Sequence, residues 1–405
     1  MIHICFNYHD GYYMVPQVMV ASLLDTKNPD TQYTLHVMYN TLSDELKNKL
    51  EKIVDNRALV NYIDMSSEFP LFKECNWNVT TMYRIAIAEY LNDVDKIIYI
   101  DGDCLVFDDL TDMYNIDMND NLFMGQADDS AFFEYYSKKL NTNFEKYICA
   151  GVMLMNLKKL REFNFKVLVN DYLNRNNGDT HGLADQGLIN YLGRYQVSYL
   201  PAKYGLFWQF NLSEDLLIEG FLIGRTPLYY TEKEYIDGFK NIAILHLVTN
   251  GIHKKAFNYP YGITDKFGRK FLEIAYKYGI IERAPNKFIM RSISGLFVNV
   301  NKDNMNLELD SKNNVVFLVD DEYIYIESLN KYLSVCNKNI TLTDDKITKW
   351  IIFPNVNKRT YQFCPRSAFN YALDIDHCFF SPGTKLQLWE MNNTPAQEFV
   401  LCKCT

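Results

Sequence analysis

The chain has 405 residues, 48% of them hydrophobic and 22% charged, an ordinary globular composition in a length that accommodates two domains. Its formal net charge of −9 excludes a general nucleic-acid-binding surface, and no run approaches the ~18 apolar residues of a membrane-spanning helix. The opening Met1-Ile2-His3-Ile4 lacks the basic and long apolar segments of a secretory signal. The 9 cysteines are odd in number, with no Cys-x-x-Cys pair, so the expectation is a reduced, cytoplasmic protein with free thiols. Aromatic content is high, 30 Tyr and 26 Phe, which suits large cores and also the stacking of sugar rings.

In chain order, Ile2 to Asn7 reads as a short apolar strand, followed by the polar loop His9-Asp10-Gly11. Val15 to Leu24 reads as a helix, stopped near Pro29. Tyr33 to Tyr39 is a second strand. Ser43-Asp44-Glu45 opens a helix with an N-cap serine and an acidic first turn. Leu59 to Met65 is a third strand. Thr80-Thr81-Met82-Tyr83-Arg84 leads into an amphipathic helix carrying Ile85, Ile87, Ala88 and Leu91. The alternation predicts a mostly parallel sheet covered by helices. No Gly-x-Gly-x-x-Gly follows the first strand, which argues against a dinucleotide fold.

The next strand, Lys96 to Ile100, is apolar and β-branched and ends in Asp101-Gly102-Asp103. Carboxylates at the C-terminal end of a buried strand stand where α/β sheets bind ligands. Two hard oxygen ligands at that spacing suit Mg²⁺ or Mn²⁺, which in turn grips a diphosphate. Asp-Gly-Asp is also what a polar turn looks like. Cys149 to Leu157 reads as a strand running into a helix, with small residues at Ala150 and Gly151. Asp185 and Gln186 open a further helix. Capping is the ordinary role for that aspartate, whereas Gln186 has no obvious structural task. Ile242 to Leu247 is a strand with His246 near its end, followed by Gly251 and Lys254-Lys255. From Lys254 to Arg291 there are nine Lys or Arg against three Asp or Glu, either a solvated helical face or a surface for phosphate or anionic lipid.

Taken together, residues 1–260 resemble glycosyltransferase family 8, the retaining GT-A enzymes that include bacterial lipopolysaccharide galactosyl- and glucosyltransferases. The resemblance rests on Asp95-Lys96 through Asp103, on Thr80, Thr81 and Arg84, on Cys149 to Leu157, on Asp185-Gln186-Gly187, and on His246 with a downstream lysine, all in the family's order. Cys149 stands where the family usually has Asn, Gly187 where it has a second Asp, and Ala256-Phe257 where Pro-Trp is usual. The resemblance implies that Asp101, Asp103 and His246 bind Mn²⁺ (or Mg²⁺). It implies that Tyr8, His9 and Gly11 hold the uracil and ribose of a UDP-sugar. Arg84, Asp101 and Gly102 would lie near the donor, with Gly251, Lys254 and Lys255 on its diphosphate. Asp129, or its neighbour Asp128, would touch donor sugar or acceptor. Gln186, beside Asp185, would face the anomeric carbon.

Tyr261 to Ile281 reads as a helical connector ended by Pro285. After Arg291 short alternating strands take over, an all-β domain by spacing. Two internal similarities, Asn330–Val335 with Phe369–Ile375 and Lys349–Phe353 with Gln397–Leu401, recur at roughly forty to fifty residues. Pro382 to Trp389 followed by Ala396-Gln397-Glu398-Phe399 resembles a ricin-type lectin repeat, which implies a β-trefoil. In that family, positions matching Asp374, Trp389 and Gln397 serve sugar binding; a trefoil that is only a scaffold is the competing reading.

The expected organisation is therefore a GT-A α/β domain over residues 1–258, a helical connector over 259–290 and a β-trefoil over 291–405. The expected reaction moves galactose or glucose from a UDP-hexose to a glycan or glycolipid acceptor, with retention, in bacterial surface polysaccharide synthesis. The expected place is the cytoplasm, with peripheral contact at the inner membrane face. The alternatives are a carbohydrate-binding protein with an inactive transferase domain, and a sugar-1-phosphate nucleotidyltransferase, which would need a Gly-rich basic loop after the first strand.

Overall fold

The computed structural model describes residues 1–12, 14–73, 78–128, 130–142, 144–182, 184–207, 229–247, 266–337, 339–355, 360–368, 370–392 and 394–404. The chain divides into two compact units, Met1–Ile252 and His253–Thr405.

The first unit is α/β. Its strands are β1 (Ile2–Asn7), β2 (Tyr33–Tyr39), β3 (Ala58–Asp64), β4 (Lys96–Ile100), β5 (Cys104–Val106), β6 (Phe123–Ala127), β7 (Ile148–Asn156), β8 (Val197–Tyr199), β9 (Tyr204–Phe207) and β10 (Ile244–His246). A seven-stranded sheet runs β3-β2-β1-β4-β7-β6-β8, and a three-stranded sheet runs β5-β10-β9. In the large sheet β7 is antiparallel to both β4 and β6, whereas the remaining neighbours are parallel. Ile97, Ile98, Tyr99 and Ile100 of β4 are all buried, as expected for a central strand covered on both faces. Ser22, in the helix Val15–Asp25, donates its hydroxyl to Met19 and accepts the amide of Val106, tying that helix to β5.

The expected amphipathic helix after Thr80 is instead three short pieces, Val79–Met82, Tyr83–Ala86 and Ile87–Glu89. The reason is burial on every side: Tyr83, Arg84, Ile85, Ala86, Ile87 and Ala88 are all buried. Side chains also claim carbonyls along it, Arg84 taking that of Thr81 and Arg161 that of Ala88. The segment is a plug in the core and not a surface helix.

Among the described residues of the second unit, the helix Lys266–Lys277 comes first, and it lies within the expected connector. Its strands are β11 (Lys287–Ser292), β12 (Phe297–Val300), β13 (Leu307–Asp310), β14 (Val316–Asp320), β15 (Tyr323–Ile326), β16 (Lys331–Cys336), β17 (Asn339–Thr343), β18 (Trp350–Asn355), β19 (Thr360–Pro365), β20 (Tyr371–Ile375), β21 (Leu386–Glu390) and β22 (Phe399–Lys403). Antiparallel pairs join β11 to β14, β14 to β15, β18 to β19, β19 to β22 and β22 back to β11. A bridge from Tyr323 to Lys349, at the entry to β18, supplies the remaining link. Six strands thus close a ring. The other six form the hairpins β12–β13, β16–β17 and β20–β21. The core inside holds Phe288, Phe317, Trp350, Phe363 and Phe399, and Trp350 donates its indole N–H to the Leu333 carbonyl at 2.8 Å. The sequence repeats occupy matching places: β16 and β20 each open a hairpin, and β18 and β22 each close their third of the ring.

Among the described residues no helix is long and apolar enough to cross a membrane.

A row of polar rings crosses the parallel strands. His3 Nδ1 lies 3.0 Å from His36 Nε2, and His36 Nδ1 lies 3.2 Å from Asn61 Nδ2. Burial, then the neighbouring His3, lowers the His36 pKa to about 4. Between pH 6.5 and about 4 the unfolded chain therefore binds a proton that the folded chain refuses. This contribution to stability is present above pH 6.5 and is lost as pH falls toward 4, at about 1 kcal/mol per pH unit. Denaturant titrations at pH 7, 6 and 5 should show His36→Gln flattening the slope by that amount.

Candidate active site

Strand β4 delivers Asp101 at its C-terminal end, and the chain turns through Gly102 to Asp103 and β5. A Cβ on Gly102 would stand 2.7 Å from Pro16 Cγ, so the turn packs against the helix Val15–Asp25 without room for a side chain. β10 pairs antiparallel with β5, setting His246 directly opposite Cys104. The imidazole is thereby carried to the carboxylates: His246 Nε2 is 3.2 Å from Asp103 Oδ1 and 3.8 Å from Asp101 Oδ2. Burial alone would lower the His246 pKa, but the Asp103 carboxylate reverses this and holds it well above the usual histidine range. The other ring nitrogen, Nδ1, is 4.0 Å from Cys149 Sγ. The three residues expected to hold a metal are therefore brought together. Two carboxylates and an imidazole make a donor set that fits Mn²⁺ or Mg²⁺. The cradle leaves no spare volume, since a Cβ on Gly151 would come within 2.2 Å of His246 Cε1 and 3.0 Å of Asp101 Oδ2. Asp103, Cys104 and His246 also form a buried group whose donor atoms lie within 4.8 Å of one another.

Beneath this cluster sits Arg84, buried. Its Nη2 donates to Asp101 Oδ1 at 3.0 Å, its Nη1 to the Ala150 carbonyl at 2.5 Å, and its Nε reaches Asp185 Oδ2 at 3.2 Å. The guanidinium lies 4.2 Å over the Tyr99 ring, and Tyr99 donates its hydroxyl to the same Asp101 Oδ1 at 2.6 Å. Burial acts against its charge, yet Asp101 and then Asp185 push the Arg84 pKa up. Burial raises the Asp185 pKa, with Arg84 opposing it; an aspartate in the first turn of Ala184–Leu192 thus serves an ion pair. Asn7, ending β1, donates to the Tyr99 hydroxyl at 3.1 Å.

Gln186 is held at both ends. Its Oε1 accepts the Ala150 amide at 3.0 Å, and its Nε2 donates to Asp128 Oδ2 at 2.6 Å. Asn190, one turn on, takes the Gln186 carbonyl and clasps Ile148 through both its amide and its carbonyl. Gln186 thus couples the helix, the small-residue stretch of β7 and the carboxylate after β6.

Tyr8 and His9 follow β1, and Tyr8 is buried with its hydroxyl accepting from Gln17. Burial lowers the His9 pKa, with Asp10 opposing. A Cβ on Gly11 would stand 3.3 Å from the His9 ring. Because β1 and β4 are parallel neighbours, this loop and the aspartates leave the same edge of the sheet. Asp129, Gly251, Lys254 and Lys255 lie outside the described residues. In the second unit, Asp374 on β20 faces Gln387 on β21 and accepts its amide at 3.2 Å. Trp389, two residues on, shares that face and is 55% exposed. Gln397 is buried and spends its amide on the Glu390 carbonyl and the Asn392 amide.

Sequence reasoning passed over Cys104 and Tyr99. Cys104 follows Asp103 directly, and Tyr99 shares a strand face with Asp101 at i+2, so both signals were present in local spacing.

The first unit has the fold of glycosyltransferases. LgtC, a galactosyltransferase solved with donor and acceptor sugar analogues, superposes with a TM-score of 0.56 at 24% identity, over 70% of this chain and 98% of LgtC. The bifunctional glycosyltransferase WbbM gives 0.56 at 18% identity, over 68% of this chain and 49% of WbbM. The sequence pattern of glycosyl transferase family 8 matches residues 3–255, and the chain belongs to that family. A Haemophilus influenzae protein named as a glycosyltransferase is 22% identical over 49% of this chain and 61% of its own length. General stress protein A of Bacillus subtilis is 23% identical over 61% of this chain and 85% of its own length. The chain therefore spans under two thirds of the first of these curated relatives and about half of WbbM.

Gly151 offers a direct test of the cradle. Gly151→Ala should displace His246 and weaken Mn²⁺ binding at least tenfold in a calorimetric titration. The melting temperature should fall by only a few degrees, because the atoms the added methyl meets are side-chain ends of His246 and Asp101 and not backbone.

Proposed function

We propose that this protein is a retaining glycosyltransferase that moves a hexose, galactose or glucose, from a UDP-sugar to a hydroxyl of a glycan or glycolipid. The observation that carries this reading is the convergence of Asp101, Asp103 and His246 at the end of β4, in a chain of glycosyl transferase family 8. LgtC's description as a galactosyltransferase supports galactose as one candidate. A divalent ion bound there supplies Lewis-acid neutralisation of the leaving diphosphate.

In this reading Asp101 presents only Oδ2 to the ion, because Arg84 and Tyr99 hold Oδ1. Tyr8, His9 and Gly11 bind the nucleoside, and Gly251, Lys254 and Lys255 add contacts to the diphosphate as UDP departs. Asp128, with Asp129, borders the sugar. The neutral Gln186 amide lies beside the reacting centre and, being a poor nucleophile, stabilises its developing positive charge without a covalent bond to it. That arrangement favours same-face departure and attack, with the leaving phosphate oxygen taking the acceptor proton.

The ring of six strands with three hairpins supports a β-trefoil for the second unit, and the face bearing Asp374, Gln387 and Trp389 suits a sugar ring stacked on indole. Exposed Lys266, Arg269 and Lys277 on one helix suit peripheral contact with an anionic membrane, which fits a cytoplasmic enzyme building a bacterial surface polysaccharide. The second reading, a carbohydrate-binding protein with an inactive first unit, draws on the same exposed Trp389.

The deciding experiment is hydrolysis of UDP-galactose and UDP-glucose with and without Mn²⁺. Asp103→Asn should cut turnover by roughly a thousandfold while the protein stays folded. UDP with Mn²⁺ should raise the melting temperature more than UDP alone, since ligands that bind only the folded state stabilise it by mass action. Equal UDP binding with and without metal would remove the metal assignment, and absent hydrolysis beside intact glycan binding would favour the second reading. Gln186→Ala should lower kcat about a hundredfold with little change in KM, the pattern of an interaction made in the transition state. A purely structural Gln186 would show a lowered melting temperature and near-normal kcat per folded molecule.

A further inference from the structure

His246 has two cysteines close by. Cys149 Sγ is 4.0 Å from Nδ1, and Cys104 lies opposite His246 in the β5–β10 register. Asp103, Cys104 and His246 bring their donor atoms within 4.8 Å of one another, all three residues buried. Ligands of a tetrahedral zinc ion, with Zn–S about 2.3 Å and Zn–N about 2.1 Å, stand about 3.6 Å apart, so side-chain shifts of about an ångström close this group around one ion.

We propose that the site has a second metal-binding mode, in which Asp103, Cys104 and His246 hold a thiophilic ion such as Zn²⁺. This inference rests on the reading of Asp103 and His246 as metal ligands. Asp101 is the residue that separates the two modes. Its Oδ1 is anchored by Arg84 at 3.0 Å and Tyr99 at 2.6 Å, so the carboxylate cannot follow an ion drawn toward the sulfur. A hard ion stays with Asp101 Oδ2, Asp103 and His246 and keeps positions open for phosphate oxygens. A thiophilic ion exchanges the Asp101 oxygen for sulfur and takes a tetrahedral set with one open position. On binding, the Cys104 S–H bond breaks, the sulfur lone pair goes to the metal and the proton goes to buffer. The two modes share Asp103 and His246 and exclude each other. Zinc is therefore an inhibitor that competes with the divalent ion used for transfer.

The test uses the full-length reduced protein with no donor or acceptor, so that it reads ion binding and not turnover. One equivalent of Co²⁺, the optical substitute for Zn²⁺, should give a sulfur-to-cobalt charge-transfer band in the near ultraviolet. That band should be absent in Cys104→Ser and in Cys104→Val, the latter chosen because a buried strand position accepts valine. Zn²⁺ should release bound Mn²⁺, followed by the resonance of the free ion, and the Cys104 variants should lose at least tenfold in Zn²⁺ affinity with under threefold change for Mn²⁺. No charge-transfer band in the wild type, a band that survives both Cys104 variants, or Mn²⁺ that stays bound under excess Zn²⁺ would each overturn the proposal. Failure of Mn²⁺ itself to bind would instead remove the underlying metal site, which the same titration reports separately.

Discussion

One guanidinium placed out of water among carboxylates is the constraint on which the first unit depends. Arg84 meets Asp101, Asp185 and the Ala150 carbonyl, so the three strand and helix ends that build the site converge on one planar fork. A bidentate-capable, always-charged planar fork is suited to this, and a lysine ammonium, a compact point charge, lacks both the span and the flat face laid over Tyr99. The arrangement is costly to break: removing one partner of a buried pair typically destabilises by about 3–5 kcal/mol, because the remaining charge is left uncompensated. Here removal of Arg84 would strand two acids at once. The plug of short helices at 79–89 brings that arginine inside, flanked by the buried Met82, Tyr83, Ile85, Ala86 and Ile87.

From Arg84 the division of labour in the site follows. Asp101 gives Oδ1 to Arg84 and Tyr99 and turns Oδ2 toward His246. Tyr99 and Asn7 extend the structural side back to β1, and with it to the loop of Tyr8 and His9. On the chemical side the imidazole arrives from a different sheet. The geometry of the centre therefore depends on the register of β10 against β5, where a slip of one residue would turn His246 away. Gly151 is the spatial counterpart: β7 can run past His246 and Asp101 only where no Cβ intervenes.

Much of this was legible in the sequence because it is local. The apolar run before Asp101, the i and i+2 spacing of Asp101 and Asp103, and the small residues at Ala150 and Gly151 are all patterns within a few residues. Long-range partnerships were not. Asp185 reads as a cap because capping is what a first-turn aspartate does within its own helix; its ion pair with a residue some hundred positions earlier has no local trace. Gln186 offered only the absence of a structural role, whereas in the fold it has one, spanning Ala150 and Asp128. The antiparallel run of β7 between β4 and β6 was likewise hidden, since a strand buried on both faces reads the same in either direction. Cys104 was overlooked for the opposite reason: one buried cysteine in a strand is indistinguishable from any small apolar residue until its cross-strand neighbour is known.

The second unit shows a different kind of legibility. Its two faint repeats fall on strands that occupy equivalent places, one pair in the hairpins and one in the ring, so chain similarity reported symmetry before any pairing was known. Equivalence of fold did not carry equivalence of surface. The hairpin position held by Asp374 and Gln387 is held by Ser334 and Thr341 in the preceding hairpin and by Asn299 and Glu308 in the first. Trp389 corresponds to Thr343 and Asp310 in the same registers. Closing the ring requires the buried aromatics in all its parts, because each strand must fill the shared core. Nothing in closure requires an exposed indole, so a lone Trp389 beside a carboxylate is the departure from symmetry that core packing does not explain.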